Sequence, residues 1–496
     1  MTAGWRAASS AACGVLLALG CGNGESTPPP AAESSRAELM NPETCAGCHP
    51  KHYDSWASSM HAYASDDPLF QAMNARGQRE AAIGPFCLKC HAPMAVRTGA
   101  TTDGSNLAEL GPELKGVTCY FCHSVDRVEG THDNPLHLAE DGVMRGEYED
   151  PAENAAHRSA YSPLLDRDRL ESATLCGACH DIVNGHGTHI ERTFAEWKST
   201  VFSQEGVGTT CGQCHMDQSK TLEPAAEAPG VFARRTHAHD FPGVDLPLTS
   251  WPGSDELAAK TQAFLDTTLQ SALCVRGAGA VTDLRVVLDN VAAGHSFPSG
   301  AAQDRRAWVH LTAYAKGKLI YESGNVPDGT SVTSRGDPDV WSMRDCLLDA
   351  DDHPVHMFWE AKDVESNLLP GQLTFDVADP RFYQTHFEQK YPRDPEAFLV
   401  TFPDRVTVEV RLAAFGLDVF DDLVASGDLA DTDADTVTEL RDAIATYRLG
   451  SVLEWTPDTA EPSFIVDGLP MSCVTDTALN VRAATVPAVN HVRCSP

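Results

Sequence analysis

One box of residues recurs five times between positions 45 and 215: two cysteines three apart, followed at once by histidine. The copies are Cys45-Ala-Gly-Cys48-His49, Cys87-Leu-Lys-Cys90-His91, Cys119-Tyr-Phe-Cys122-His123, Cys176-Gly-Ala-Cys179-His180 and Cys211-Gly-Gln-Cys214-His215. Two thiols at this spacing lie along one short turn. Both can form thioethers to the vinyl groups of one porphyrin, and the next residue points its imidazole at the iron; this is the attachment signature of c-type haem. Zinc needs no adjacent histidine and would require the pairs to join in twos, which an odd number forbids. A redox dithiol needs no five copies. The boxes predict five covalent haems c, with the ten cysteines as clamps and His49, His91, His123, His180 and His215 as iron ligands.

Five haems constrain the fold. Residues 41–245 hold every box, little strand pattern and many Gly, Pro and His. They read as a mostly helical or irregular domain whose apolar core is largely porphyrin. A domain of this length is only roughly 40 Å across, so neighbouring haems must be close. Residues 254–273 read as a helix, with Ser254 at its N-cap and Leu257, Phe264, Leu265 and Leu269 on one face. From Val281 the hydrophobic period becomes two: Val406, Val408, Val410 and Leu412 alternate with Arg405, Thr407, Glu409 and Arg411. Further runs of this kind predict an antiparallel β-sandwich over 275–496, interrupted by helices near 417–425 and 437–447. The fold class is therefore mixed.

Residues 1–20 read as an export signal with a short apolar run, and 21–40 as a linker. The stretch Leu17-Ala18-Leu19-Gly20-Cys21 is similar to a lipobox, which predicts lipidation at Cys21 and anchoring on the periplasmic side of the envelope or at the outer membrane. Export implies an oxidising setting, in which Cys274, Cys346, Cys473 and Cys494 form one or two disulfides by any of three pairings. The net charge of −33 repels phosphate backbones and argues against nucleic acid as a partner.

The second ligand of each iron decides between a closed carrier and an open, reactive site. His52 shares a turn with His49 and cannot cross to the far face of that haem, so it is expected at the surface or beside a propionate. His61, His157, His237, His239 and His295 are candidates. His132, His137, His186 and His189 stand in reserve, and His310, His353, His356, His386 and His491 read as structural. Met94 and Met216 follow their boxes too closely to reach the far side of the same iron.

The segments WASSMHAYASDDPLF, CLKCHAP, GVTCYFCHSV, LCGACHD, FAEWKS, CGQCHMD, THAHDFPG and GHSFPSG resemble exported bacterial multihaem cytochromes c. That group includes the tetrahaem cytochrome that accepts electrons from hydroxylamine oxidoreductase. The resemblance is best over 45–300. It implies stacked, mostly bis-histidine haems, and it implies that His61, then His157, His239, His237 and His295, are sixth ligands. The chain departs from the tetrahaem pattern by its fifth box and β half, and it lacks the CxxCK box of the pentahaem nitrite reductases. The resulting expectation is an electron carrier served by redox partner proteins, either other cytochromes or a quinol-linked donor. The alternatives are an oxidoreductase acting on a small nitrogen or sulfur compound at one open haem, and a structural subunit of an envelope complex or filament.

Overall fold

The computed structural model describes residues 34–334, 336–476, 485–488 and 494. The signal, Cys21 and His491 lie outside the described residues. Among those described, no helix is long and apolar enough to cross a membrane.

The cysteine-box half is built of short helices joined by loops, and the longest helix before residue 245 is Pro68–Ala81. It also holds four two-stranded ladders, more strand than its sequence suggests. One pairs Ile182–Val183 with His189–Glu191. The protein's own apolar clusters here are small, such as Phe70, Leu88, Ala92, Ala95 and Leu107. Much of the interior volume must then be filled by something other than side chains.

The helix Ser254–Thr268 begins one residue after Gly253, whose φ of 70° makes it the cap in place of Ser254. It stops at Thr268, short of 273, because Leu269–Ala278 pairs along its whole length with Val281–Asn290. Ladder hydrogen bonds and burial outweigh the helical spacing there. Gly279, with φ of 60°, opens the two-residue turn between these strands, a position that favours glycine.

The C-terminal half contains two larger sheets. One runs Phe464–Val466, Leu469–Thr475, Leu269–Ala278, Val281–Asn290, His386–Tyr391 and Val486–Pro487, antiparallel except for the last pair. The other runs Lys318–Ser323, Arg306–Ala315, Arg405–Ala413 and Thr446–Trp455, with Ser342–Met343 also against Arg306–Ala315. Val406, Val408, Val410 and Leu412 are buried as the period of two requires. They meet Leu273, Val275, Leu284, Val286 and Leu288 of the first sheet in one core. The two interrupting helices are Leu417–Ala425 and Ala434–Ala443. Two disulfides resolve the three-way ambiguity: Cys274–Cys473 and Cys346–Cys494.

Polar contacts join the halves. Arg192 donates to Asp345 at 2.6 Å, Asn184 Nδ2 to the carbonyls of Phe358 and Ala361 at 2.8 Å, and Arg76 to Asp422 at 2.8 Å. In the β half, Arg306 grips Asp418 through two nitrogens, at 3.0 and 2.6 Å. Burial alone would raise the Asp418 carboxyl, but Arg306 and Arg344 overcome it and hold it down at about 2. A carboxylate depressed in the folded state stabilises the protein above the ordinary carboxylate pKa and loses that effect as pH falls through the folded value. Asp418 should thus contribute about 2 kcal/mol at neutral pH, lost between about pH 4 and pH 2. Acid unfolding of Asp418→Asn checks this; an unchanged stability profile over that window would contradict it.

Candidate haem sites

Each box sits on one helical turn. His49 N donates to Cys45 O at 2.8 Å, His91 N to Cys87 O at 3.1 Å and His180 N to Cys176 O at 3.0 Å. The third and fifth boxes form the helices Cys119–His123 and Cys211–His215, capped by Thr118 and Thr210, whose hydroxyls accept from Phe121 N and Gln213 N. In a helix, residues i, i+3 and i+4 share a face. The two cysteines and the histidine of each box therefore point the same way, which is the local reason for the spacing.

The imidazoles are oriented by the backbone. His49 Nδ1 donates to Ala225 O at 2.8 Å, His91 to Ala64 O at 3.0 Å, His215 to Pro242 O at 2.8 Å, and His123 to Arg145 O. A donating Nδ1 leaves Nε2 unprotonated and free to ligate. Three of the distal candidates repeat the arrangement: His157 Nδ1 on Arg158 O at 3.2 Å, His239 on His237 O at 3.1 Å and His295 on Ser296 O at 2.8 Å.

Opposite these rings stand other rings. His49 and His157 have centroids 6.4 Å apart, His123 and His239 6.4 Å, and His61 and His180 6.2 Å. A metal–imidazole bond of about 2 Å on each side, plus about 1.1 Å from donor nitrogen to ring centre, separates two trans imidazoles by roughly 6.3 Å. The spacing fits one iron between each pair. His295 lies close enough to His215 to lower its proton affinity, after burial, the larger cause. Burial, then the neighbouring His180, pushes His61 down to about 3, and burial holds His180 at about 4, so both are neutral donors at ordinary pH. All ten box cysteines keep part of their surface uncovered although most lie deep in the protein, as thiols lining an internal volume would. The residues present fit the group.

A family model described as cytochrome c554 and c-prime matches residues 44–124, the stretch holding the first three boxes. A solved structure described as a penta-heme cytochrome c552 from Thermochromatium tepidum is similar over 84% of this chain and 99% of that one, at 19% identity and a TM-score of 0.57. No curated protein matches the chain. Together the matches support a multihaem cytochrome c.

In this cytochrome-like half the boxes adjoin out of sequence order. The thiols of Cys45 and Cys119 are near enough to shift each other's proton affinity, as are those of Cys176 and Cys211 and those of Cys90 and Cys179. Cys122 and Cys176 act on each other. The order is first, third, fourth, with the second and fifth both beside the fourth.

Three expectations change. His237 turns Nε2 to Glu147 at 3.0 Å, which engages its ligating nitrogen with that carboxyl group, so it does not join the ring pairs. His52 is not at the surface. It is half-buried between His49 and His239, 5.9 and 5.1 Å from their rings, where burial holds it at about 4. His91 has a phenyl neighbour: Phe70 stacks on it at 4.0 Å and 3°, and among the described residues no histidine pair spans this box. Nothing in the sequence around Phe70 marks it. Of the reserves, His132 binds Asp133, His137 Asp126 and His186 the Trp359 carbonyl, while the ring of His189 lies 6.1 Å from that of His132. His310, His356 and His386 pair with acids of the β half.

Proposed function

We propose that this protein is an exported, lipid-anchored electron carrier with five covalent haems. Each haem would supply reversible one-electron chemistry, and the chain's part is to clamp it, ligate it and set it beside its neighbours. The single observation that carries this reading is the set of imidazole pairs 6.2–6.4 Å apart, on boxes that adjoin one another. His157, His239, His61 and His295 are the sixth ligands for the first, third, fourth and fifth boxes. The C-terminal half, read as a β-sandwich, offers a docking surface for a redox partner protein, and the negative field of the whole chain favours a basic one. The motifs shared with the tetrahaem partner of hydroxylamine oxidoreductase support another cytochrome as that partner.

A pyridine haemochrome assay of the purified protein should give five haems per chain, and low-temperature EPR should be dominated by low-spin iron. A haem count near zero would end this reading. Replacing His61 by alanine should convert one low-spin centre to high-spin while leaving the haem count unchanged; EPR with every iron still low-spin would remove His61 from the ligand set.

A second reading has the iron of the second box keep an open position, since among the described residues no imidazole stands 6.2–6.4 Å from that of His91 as at the first, third and fourth boxes, and makes the protein an oxidoreductase acting on a small nitrogen or sulfur compound. A high-spin EPR signal that shifts on adding nitrite or hydroxylamine favours it, and low-spin signals from all five irons remove it.

A further inference from the structure

We propose that an exposed apolar patch of Phe375, Val377 and Val207, beside the fifth box, is the surface on which a small basic cytochrome c docks. The proposal rests on the carrier reading and names where its partner sits.

Three segments build the platform. Thr200 Oγ1 donates to Gly294 O at 3.2 Å, next to the distal candidate His295. A methyl group on Gly294 would lie 3.9 Å from the Phe202 ring. On its other side, Phe202 O accepts from Thr209 N at 2.8 Å, and Thr210 caps the helix that carries Cys211, Cys214 and His215. Phe202 is thus held between the fifth box and the histidine expected opposite it. The β half supplies the third segment. Val201 N donates to Gln372 O at 2.9 Å, and Gln372 Nε2 to both oxygens of the buried Asp289 at 3.0 Å. A methyl group on Gly371 would lie 3.0 Å from His295 O. From this anchor the chain lays Phe375 against Phe202, ring centres 5.5 Å apart and planes at 86°. The helix Cys211–His215 packs against Ser172–Gly177, so the fifth box adjoins the fourth and ends one branch of the series.

The outward side is apolar. Phe375 is 55% exposed, Val377 63% and Val207 57%. Val207 lies on the turn that brings the chain from Gln204 back to Phe202, so the three share one patch. A contiguous exposed patch marks a contact site, whereas scattered single residues do not. The charged residues of its two loops, 203–208 and 373–380, are Glu205, Asp376 and Asp379, all acidic. Of the neighbouring bases, Arg381 is held by Asp379 at 2.6 Å, and Lys198 stands beside Ser203. An apolar centre with a rim of one sign suits a transient interface: the rim steers and the centre holds. The rim also selects the occupant. A second copy of this chain brings the same acids and a charge of −33, and an anionic membrane brings phosphates, so both are repelled. A cytochrome whose haem edge is ringed by lysines is attracted.

The test is calorimetric titration of the full holoprotein with a small lysine-rich cytochrome c, both oxidised, with haem content and dithionite reduction measured on every variant. The expected result is binding that weakens steeply as ionic strength rises from about 10 mM to about 200 mM. Phe375→Ala should raise Kd about tenfold. Asp376→Asn keeps an oxygen for Ala378 N, which donates to Oδ1 at 2.9 Å, and should raise Kd and flatten the salt dependence. It carries the test if Phe375→Ala does not fold. Ile465→Ala, at an equally exposed site on the edge strand Phe464–Val466, should bind as the wild type does. Mixing the reduced protein with ferric cytochrome c should show the same ranking in rate, each electron given up turning one cytochrome c ferrous. The proposal is overturned if the wild type does not bind, if Phe375→Ala binds unchanged, or if Ile465→Ala loses as much. Sedimentation of a wild-type dimer that Phe375→Ala dissolves also overturns it and assigns the patch to a second copy. A protein that lacks haem or cannot be reduced defeats the carrier reading instead. Five reducible haems with unchanged Kd in both patch variants defeat the docking proposal alone.

Discussion

Replacing Cys274 and Cys473 together by alanine should lower the stability of the oxidised protein by about 2–5 kcal/mol. The bridge spans 199 residues of chain, so without it the unfolded ensemble recovers freedom that the remaining Cys346–Cys494 bridge, which spans 148 residues of the same half, only partly restrains. The two cysteines face each other in register across Leu269–Ala278 and Leu469–Thr475. Both are buried against Met471, so alanine also loses sulfur contacts in a packed cluster. The native side of the balance is secured by neighbouring pairs from Met471↔Arg276 to Thr475↔Ala272. The variant should therefore fold, at lower stability, and keep its haems. Denaturant unfolding followed by β-sheet circular dichroism is the measurement. A loss below about 1 kcal/mol would mean that the ladder alone constrains this edge of the sheet.

Replacing Cys176 and Cys179 together by serine should reduce the haem count from five to four and cut the first and third boxes off from the second and fifth. The reason is the place of the fourth box. Cys176 neighbours Cys122 and Cys211, and Cys179 neighbours Cys90. The same change at the first box removes a terminus and leaves the rest connected. A group that binds only the folded chain stabilises it, so losing the central one should also cost several kcal/mol. Rapid reduction by a small donor should show a single fast phase for the wild type and two separated phases for the variant, with thermal unfolding at lower temperature. A four-haem variant that still reduces in one phase would show that electrons bypass the fourth box.

These expectations draw on two kinds of information. Cys-x-x-Cys-His is a local instruction: positions i, i+3 and i+4 fall on one helical face wherever the turn occurs, and Thr118 and Thr210 start that turn through their own hydroxyls. The period of two in residues 405–413 is equally local, and burial alternates there accordingly. Local pattern misleads where a distant partner wins. The helical spacing of 254–273 continues past Thr268, but the neighbouring strand takes Leu269 onward into a sheet. His52 shares a turn with His49, and that spacing says nothing of His239, which arrives from 187 residues away to lie beside it. His237 and His239 look alike in the sequence. They separate only because Glu147 stands within 3.0 Å of the first.

The sequence by itself determined the five Cys-x-x-Cys-His boxes, the histidine that closes each, the acidic field and the change from helical to strand period in the C-terminal half. Each of these is carried by residues within a few positions of one another. Only the tertiary structure decided which ring stands opposite which, that the fourth box adjoins three others, and that Cys274 meets Cys473. Each of those is a meeting of segments tens to hundreds of residues apart. It depends on how packing and hydrogen bonding bring whole elements together, and no spacing in the sequence encodes it.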